Sequence, residues 1–154
     1  MKKIHVYPHT HWDYEWYFTA SESIIQLIYH MDEVISALES GTLKTYLLDS
    51  QVSILEEYLH MMPEKEPVIR KLVEEGKLMI GPWYTQSDEL IISGESLARN
   101  LWYGISYARE LGNCMMIGYL PDSFGQSKDM PKLYNGFDIR EALFWRGVPN
   151  DVCK

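Results

Sequence analysis

The stretch His9-Thr10-His11-Trp12-Asp13-Tyr14-Glu15-Trp16 concentrates imidazole, carboxylate and indole within eight residues. In an extended chain His9, His11 and Asp13 alternate and project to one side. Imidazole and carboxylate together suit a divalent cation, zinc above all. A His-x-His pair alone is weak, since amidohydrolases, deacetylases and ordinary structural pairs share it. Asp13 at the next alternate position strengthens the metal reading. So does Asp122, which stands in Pro121-Asp122-Ser123-Phe124-Gly125 at the exit of another strand. Taken alone, Asp122 would be an Asx-turn or the cap of a short helix. Trp16 is the better candidate for stacking on a ligand ring, and both Trp12 and Trp16 would serve equally as core. Asp88-Glu89 could be an acid/base pair, but a solvated loop leading into a helix is expected. His5, His30 and His60 are expected to be structural.

These residues need elements to position them, and the chain supplies a strand-then-helix rhythm. Short β-prone runs occupy 3–7, 45–48, 78–80, 115–119 and 143–145. Between them, apolar residues at helical spacing mark helices over 21–40, 52–62 and 93–111, with another opening at Pro67 and reaching Glu75. Ser21 or Ser23 is expected to cap the first helix, and Gly41, Gly76 and Gly112 sit where helices stop. Alternating strands and helices predict parallel pairing through right-handed crossovers, hence an α/β fold. Each of the first four strands runs into a polar and aromatic cluster, the second being Asp49-Ser50-Gln51 and the third Gly81 to Glu89. Because the C-terminal strand ends form the functional face of such folds, the four clusters predict one shared site. A barrel of seven or eight units needs about 200 residues or more. Residues 1–154 therefore read as the N-terminal portion of a larger catalytic barrel, or as an open half-barrel whose exposed apolar strand edges favour a homo-oligomer.

The 154 residues are 46% hydrophobic and 23% charged, enough for one core and typical of an ordered domain. Fourteen Lys and Arg against 22 Asp and Glu leave a formal net charge of −8, which argues against a nucleic-acid or anionic-membrane surface. No apolar run approaches the ~20 residues of a membrane span, and no signal-peptide pattern is seen. Cys114 and Cys153 make neither a disulfide framework nor a zinc knuckle, so reduced thiols and a cytoplasmic location are expected. Aromatic residues reach 13%, which suits carbohydrate stacking or a core equally well.

Several longer motifs carry a resemblance. His9 to Trp16, Leu48-Asp49-Ser50-Gln51, Gly81-Pro82-Trp83-Tyr84-Thr85, Gly118 to Gln126 and Phe144-Trp145-Arg146-Gly147 resemble, in order, glycoside hydrolase family 38, the α-mannosidases. The likeness is strongest to the bacterial cytosolic branch that includes mannosylglycerate hydrolases. It implies a seven-stranded β/α barrel of which 1–154 is the first part, and zinc-dependent retaining hydrolysis of terminal α-mannosides. The implied substrates are a mannose-containing oligosaccharide or mannosyl-glycerate. By the same resemblance His11 and Asp13 are zinc ligands, and Asp122 is both zinc ligand and catalytic nucleophile. Trp16 stacks on the mannose ring and Arg146 lines the pocket, while His9 is not a ligand. The family's fourth ligand and general acid fall beyond residue 154, so this stretch alone is expected to lack turnover. Two other readings stay open: a metal-dependent deacetylase or amidohydrolase, and a sugar-binding piece without catalysis.

Overall fold

A computed structural model describes residues 2–148, and Cys153 lies outside them. Five parallel strands alternate with helices: β1 (His9–Thr10), α1 (Ala20–Glu39), β2 (Tyr46–Leu48), α2 (Ser53–Met61), α3 (Glu66–Glu74), β3 (Leu78–Met79), α4 (Gly94–Glu110), β4 (Ile117–Leu120), α5 (Met130–Gly136) and β5 (Glu141–Phe144). One 3₁₀ turn, Pro63–Lys65, joins α2 to α3.

The helices form where local chemistry and an apolar face agree. Helix α1 is capped by Thr19, two positions before Ser21, because Thr19 and Glu22 form a reciprocal capping box. Its buried face is Leu27, Met31, Val34, Ile35 and Leu38. Ser93 caps α4 through the Ser96 amide, and α4 buries Leu97, Leu101, Gly104, Ile105 and Ala108. Pro67 lies in the first turn of α3, where a missing N–H costs nothing. Helix α5 has no counterpart in the sequence reading, since its seven residues are too short for a periodic signal.

Strand β1 pairs with β2, and β2 with β3, in one parallel ladder. Strands β4 and β5 form a second parallel ladder, registered Ile117 to Glu141 and Leu120 to Phe144. The Met115 amide donates to the Ile80 carbonyl at 2.8 Å and links the two ladders. Within each ladder every strand pairs in parallel with its sequence neighbour, as in a succession of β/α units. Among the described residues the ladders do not close into a ring.

Two strands differ from expectation. Residues 3–7 are not a strand, and Ile4 and Val6 are 83% and 88% exposed. Pairing begins only where the Leu47 amide reaches the Pro8 carbonyl, and a β-prone run without a partner has nowhere to place its backbone groups. Strand β5 runs Glu141–Phe144 where 143–145 is expected, since its bounds are set by pairing with β4, and all four of its residues are exposed. The core lies between the strands and α1 to α4, with Trp83, Tyr58 and Leu48 fully buried. Cys114 is a free buried thiol, which burial pushes up to about 11.

Candidate active site

The exits of β1, β3, β4 and β5 converge on one open cleft of about 460 Å³, lined by His11, Asp13, Trp16, Gln86, Asp88, Asp122, Phe124 and Arg146. His11 Nε2 lies 3.5 Å from Asp13 Oδ1 and 3.3 Å from Asp122 Oδ2. Donor atoms of these three residues all fall within 4.8 Å of one another. Ligands held at ~2.0–2.1 Å in a tetrahedron are separated by about 3.4 Å, so the donor set and its spacing fit a zinc-sized cation. The other oxygen of Asp122 pairs with Arg146 Nη1 at 2.6 Å, and the Arg146 guanidinium also lies 5.4 Å from the Phe124 ring centroid. One carboxylate thus faces a candidate metal position and a guanidinium at once.

Behind His11 stands Asp49, fully buried at the exit of β2. Its Oδ1 is 3.0 Å from His11 Nδ1. The hydrogen bond to Asp49 raises the His11 imidazolium to about 9, against the lowering effect of burial and with help from the charges of Asp49, Asp13 and Asp122. The sequence marked Asp49-Ser50-Gln51 as a polar cluster but assigned Asp49 no role. Only the packing of three strand exits brings it behind the histidine.

The sequence-predicted residues separate cleanly. His11, Asp13 and Asp122 come together, with Trp16 and Arg146 at the same cleft. Trp16 is 71% exposed, so it is not core. Trp12 packs against the core and stacks on His30, which in turn meets the Tyr46 hydroxyl at 3.1 Å. His9 is exposed and stays outside the cluster, its ring edge-on to Tyr119. Asp88-Glu89 is not the solvated loop expected from sequence. Asp88 accepts from the Phe124 amide at 2.6 Å, while Glu89 is buried, accepts from the Ser127 amide at 2.5 Å, and is pushed up to about 7 by burial. A second cavity of about 430 Å³, lined by Trp12, Tyr14, Glu57 and Tyr84, shares His11, Asp13 and Gln86 with the first.

Fold and cleft together describe a β/α domain with acidic and aromatic groups gathered at its strand exits. Residues 1–152 match the family model for the glycosyl hydrolases family 38 N-terminal domain, and the chain belongs to that family. It is 39% identical over 149 residues to a protein of Halalkalibacterium halodurans provisionally named as a mannosylglycerate hydrolase, covering 96% of this chain and 17% of that one. An α-mannosidase of Saccharomyces cerevisiae is 33% identical over 86 residues, 53% of this chain and 8% of its own length. The crystal structure of an α-mannosidase from Enterococcus faecalis superposes with a TM-score of 0.88 at 37% identity, covering 92% of this chain and 16% of that one. The chain therefore spans about one sixth of the length of these longer relatives. A 4-α-glucanotransferase from Thermococcus litoralis, at 17% identity and a TM-score of 0.58, shares the fold. Family membership replaces the deacetylase reading with that of a mannoside-hydrolase family.

Proposed function

We propose that this chain is the N-terminal portion of a catalytic barrel, seven-stranded when complete, that performs zinc-dependent retaining hydrolysis of terminal α-mannosides. The observation that carries the proposal is the convergence of His11 Nε2, Asp13 and Asp122 at the cleft that Trp16 and Arg146 border. His11, Asp13 and Asp122 would hold the metal. When bound, zinc supplies a Lewis acid toward vicinal sugar hydroxyls and a local positive charge.

The chain's own groups do the rest. Trp16 offers an exposed aromatic face to the apolar side of a mannose ring. Asp122, aimed by Arg146, attacks the anomeric carbon as the glycosidic C–O bond breaks, and a glycosyl ester forms on its carboxylate. A second carboxylic acid protonates the leaving oxygen and then activates the water that hydrolyses the ester. In retaining enzymes it stands about 5–5.5 Å from the nucleophile. The adjoining cavity beside Trp12, Tyr14 and Tyr84 would receive the remainder of an oligosaccharide or the glycerate of mannosyl-glycerate. A cytoplasmic location belongs to the same proposal; among the described residues no helix is long and apolar enough to cross a membrane.

The test uses a slow fluorinated mannosyl donor on the complete enzyme carrying this domain, so that the covalent species accumulates. Digestion and mass analysis should find the sugar on the peptide containing Asp122, with retention at the anomeric centre in the released product. Label on another carboxylate, or inversion, would refute the assignment.

A further inference from the structure

We propose that Asp49 is the positioning residue of the site: it holds His11 in the Nδ1–H tautomer and leaves Nε2 free to accept a metal. The inference rests on the metal reading above and adds the group that prepares the ligand.

A carboxylate offers about four lone-pair positions, and Asp49 has four donors within hydrogen-bond reach. On Oδ1 these are His11 Nδ1 at 3.0 Å and Gln86 Nε2 at 3.0 Å. On Oδ2 they are the Trp12 amide at 2.9 Å and Gln51 Nε2 at 2.6 Å. The Trp12 amide can only donate. The Gln51 amide is oriented by its own oxygen, which accepts from Thr85 Oγ1 and the Gln86 amide at 3.3 Å each. Gln86 Nε2 also donates to the Asp49 carbonyl at 2.6 Å. With those roles occupied, His11 Nδ1 meets an acceptor and must carry the proton.

The backbone supports the same function. Asp49 and Ser50 have φ of 39° and 55°, two successive non-glycine residues in the sparsely populated left-handed region. Such a conformation persists only where its surroundings hold it. Here the Ser50 hydroxyl donates to the Tyr119 carbonyl at 2.7 Å, the Trp83 amide donates to the Ser50 carbonyl at 3.0 Å, and Gln51 reaches the Trp12 carbonyl at 2.9 Å. The exit of β2 is thus tied to those of β1, β3 and β4. A metal-ligating histidine generally gives its second ring N–H to such a partner, and loss of that partner typically lowers metal affinity 10–100-fold.

Asp49→Asn separates this role from bulk packing because it conserves size. Its amide must place two hydrogens against either the Trp12 and Gln51 donors or those of His11 Nδ1 and Gln86 Nε2, the latter keeping its bond to the Asp49 carbonyl. The second arrangement is the only one His11 can answer, by moving its proton to Nε2 and losing the ligating lone pair. Two measurements test the inference on the 154-residue chain. Nitrogen-15 spectra of histidine-labelled, metal-free protein at pH 10, with the His11 signals assigned by His11→Gln, should show neutral His11 protonated on Nδ1. Protonation on Nε2 would overturn the proposal, and this readout needs no Asp49 variant to fold. Zinc calorimetry should then give a 10–100-fold weaker affinity for Asp49→Asn at unchanged circular dichroism, with its His11 proton on Nε2. A folded variant that binds zinc within twofold of the parent would also overturn it. If the parent chain shows the Nδ1–H tautomer but neither it nor the complete enzyme takes up zinc, the metal reading fails while the positioning role stands.

Discussion

Gly104→Ala sets helix propensity against packing, and the two predict opposite signs. Gly104 lies inside α4, where alanine is normally favoured over glycine by about 1 kcal/mol. A Cβ at this position, however, would stand 2.3 Å from the Pro82 carbonyl oxygen, 2.3 Å from the Trp83 carbonyl carbon and 2.4 Å from the Tyr84 nitrogen. All three are backbone atoms, so no side chain can rotate away. Ordinary contact begins near 3.4 Å, and α4 must retreat by about 1 Å. Overpacking of this kind costs about 1–3 kcal/mol. The retreat also stretches the bonds of Asn100, one turn earlier, which accepts from the Tyr84 and Thr85 amides at 2.9 and 3.1 Å and donates to the Thr85 carbonyl at 2.7 Å. Weakening these adds about 1 kcal/mol. After the gain in propensity, a net destabilisation of about 2 kcal/mol is expected, or roughly 4–8 °C in Tm for a chain of this size. Because this segment leads directly into Gln86, zinc affinity should fall as well. Urea unfolding and calorimetry provide the assay. Stabilisation by about 1 kcal/mol would show that the close approach of α4 to the β3 exit does not hold.

Trp16→Ala should leave urea stability within about 0.5 kcal/mol, as befits an exposed side chain, while raising KM for an aryl α-mannoside roughly 3–10-fold in the complete enzyme. A loss of stability above 1 kcal/mol with unchanged KM would instead make Trp16 a packing residue. Glu89, pushed up to about 7 in the folded chain, binds more protons folded than unfolded between its ordinary range and pH 7. Its contribution is therefore fully present below about pH 4.5 and is lost as pH rises through 7. The drop in unfolding free energy from pH 5 to pH 8 should be larger in the parent than in Glu89→Gln by about 1–3 kcal/mol, and parallel pH profiles would exclude the effect.

The sequence alone was sufficient for features governed by neighbours along the chain. Pro67 in a first turn and the apolar stripe of α1 follow from hydrogen bonding and periodicity within a few residues. The same is true of the strand-exit positions of His11, Asp13 and Asp122, since a β/α rhythm sends every strand's C-terminal end to one face. Tertiary structure decided what depends on partners distant in sequence. Residues 3–7 have β propensity but no neighbouring strand to satisfy their backbone, so propensity does not become a strand. Glu89 looked like a loop carboxylate until the Ser127 amide, 38 residues away, closed over it. Asp49 shows the division most clearly. Its place in a polar turn was legible, but its function depends on donors from Trp12, Gln51, Gln86 and His11, which meet only when three strand exits pack side by side.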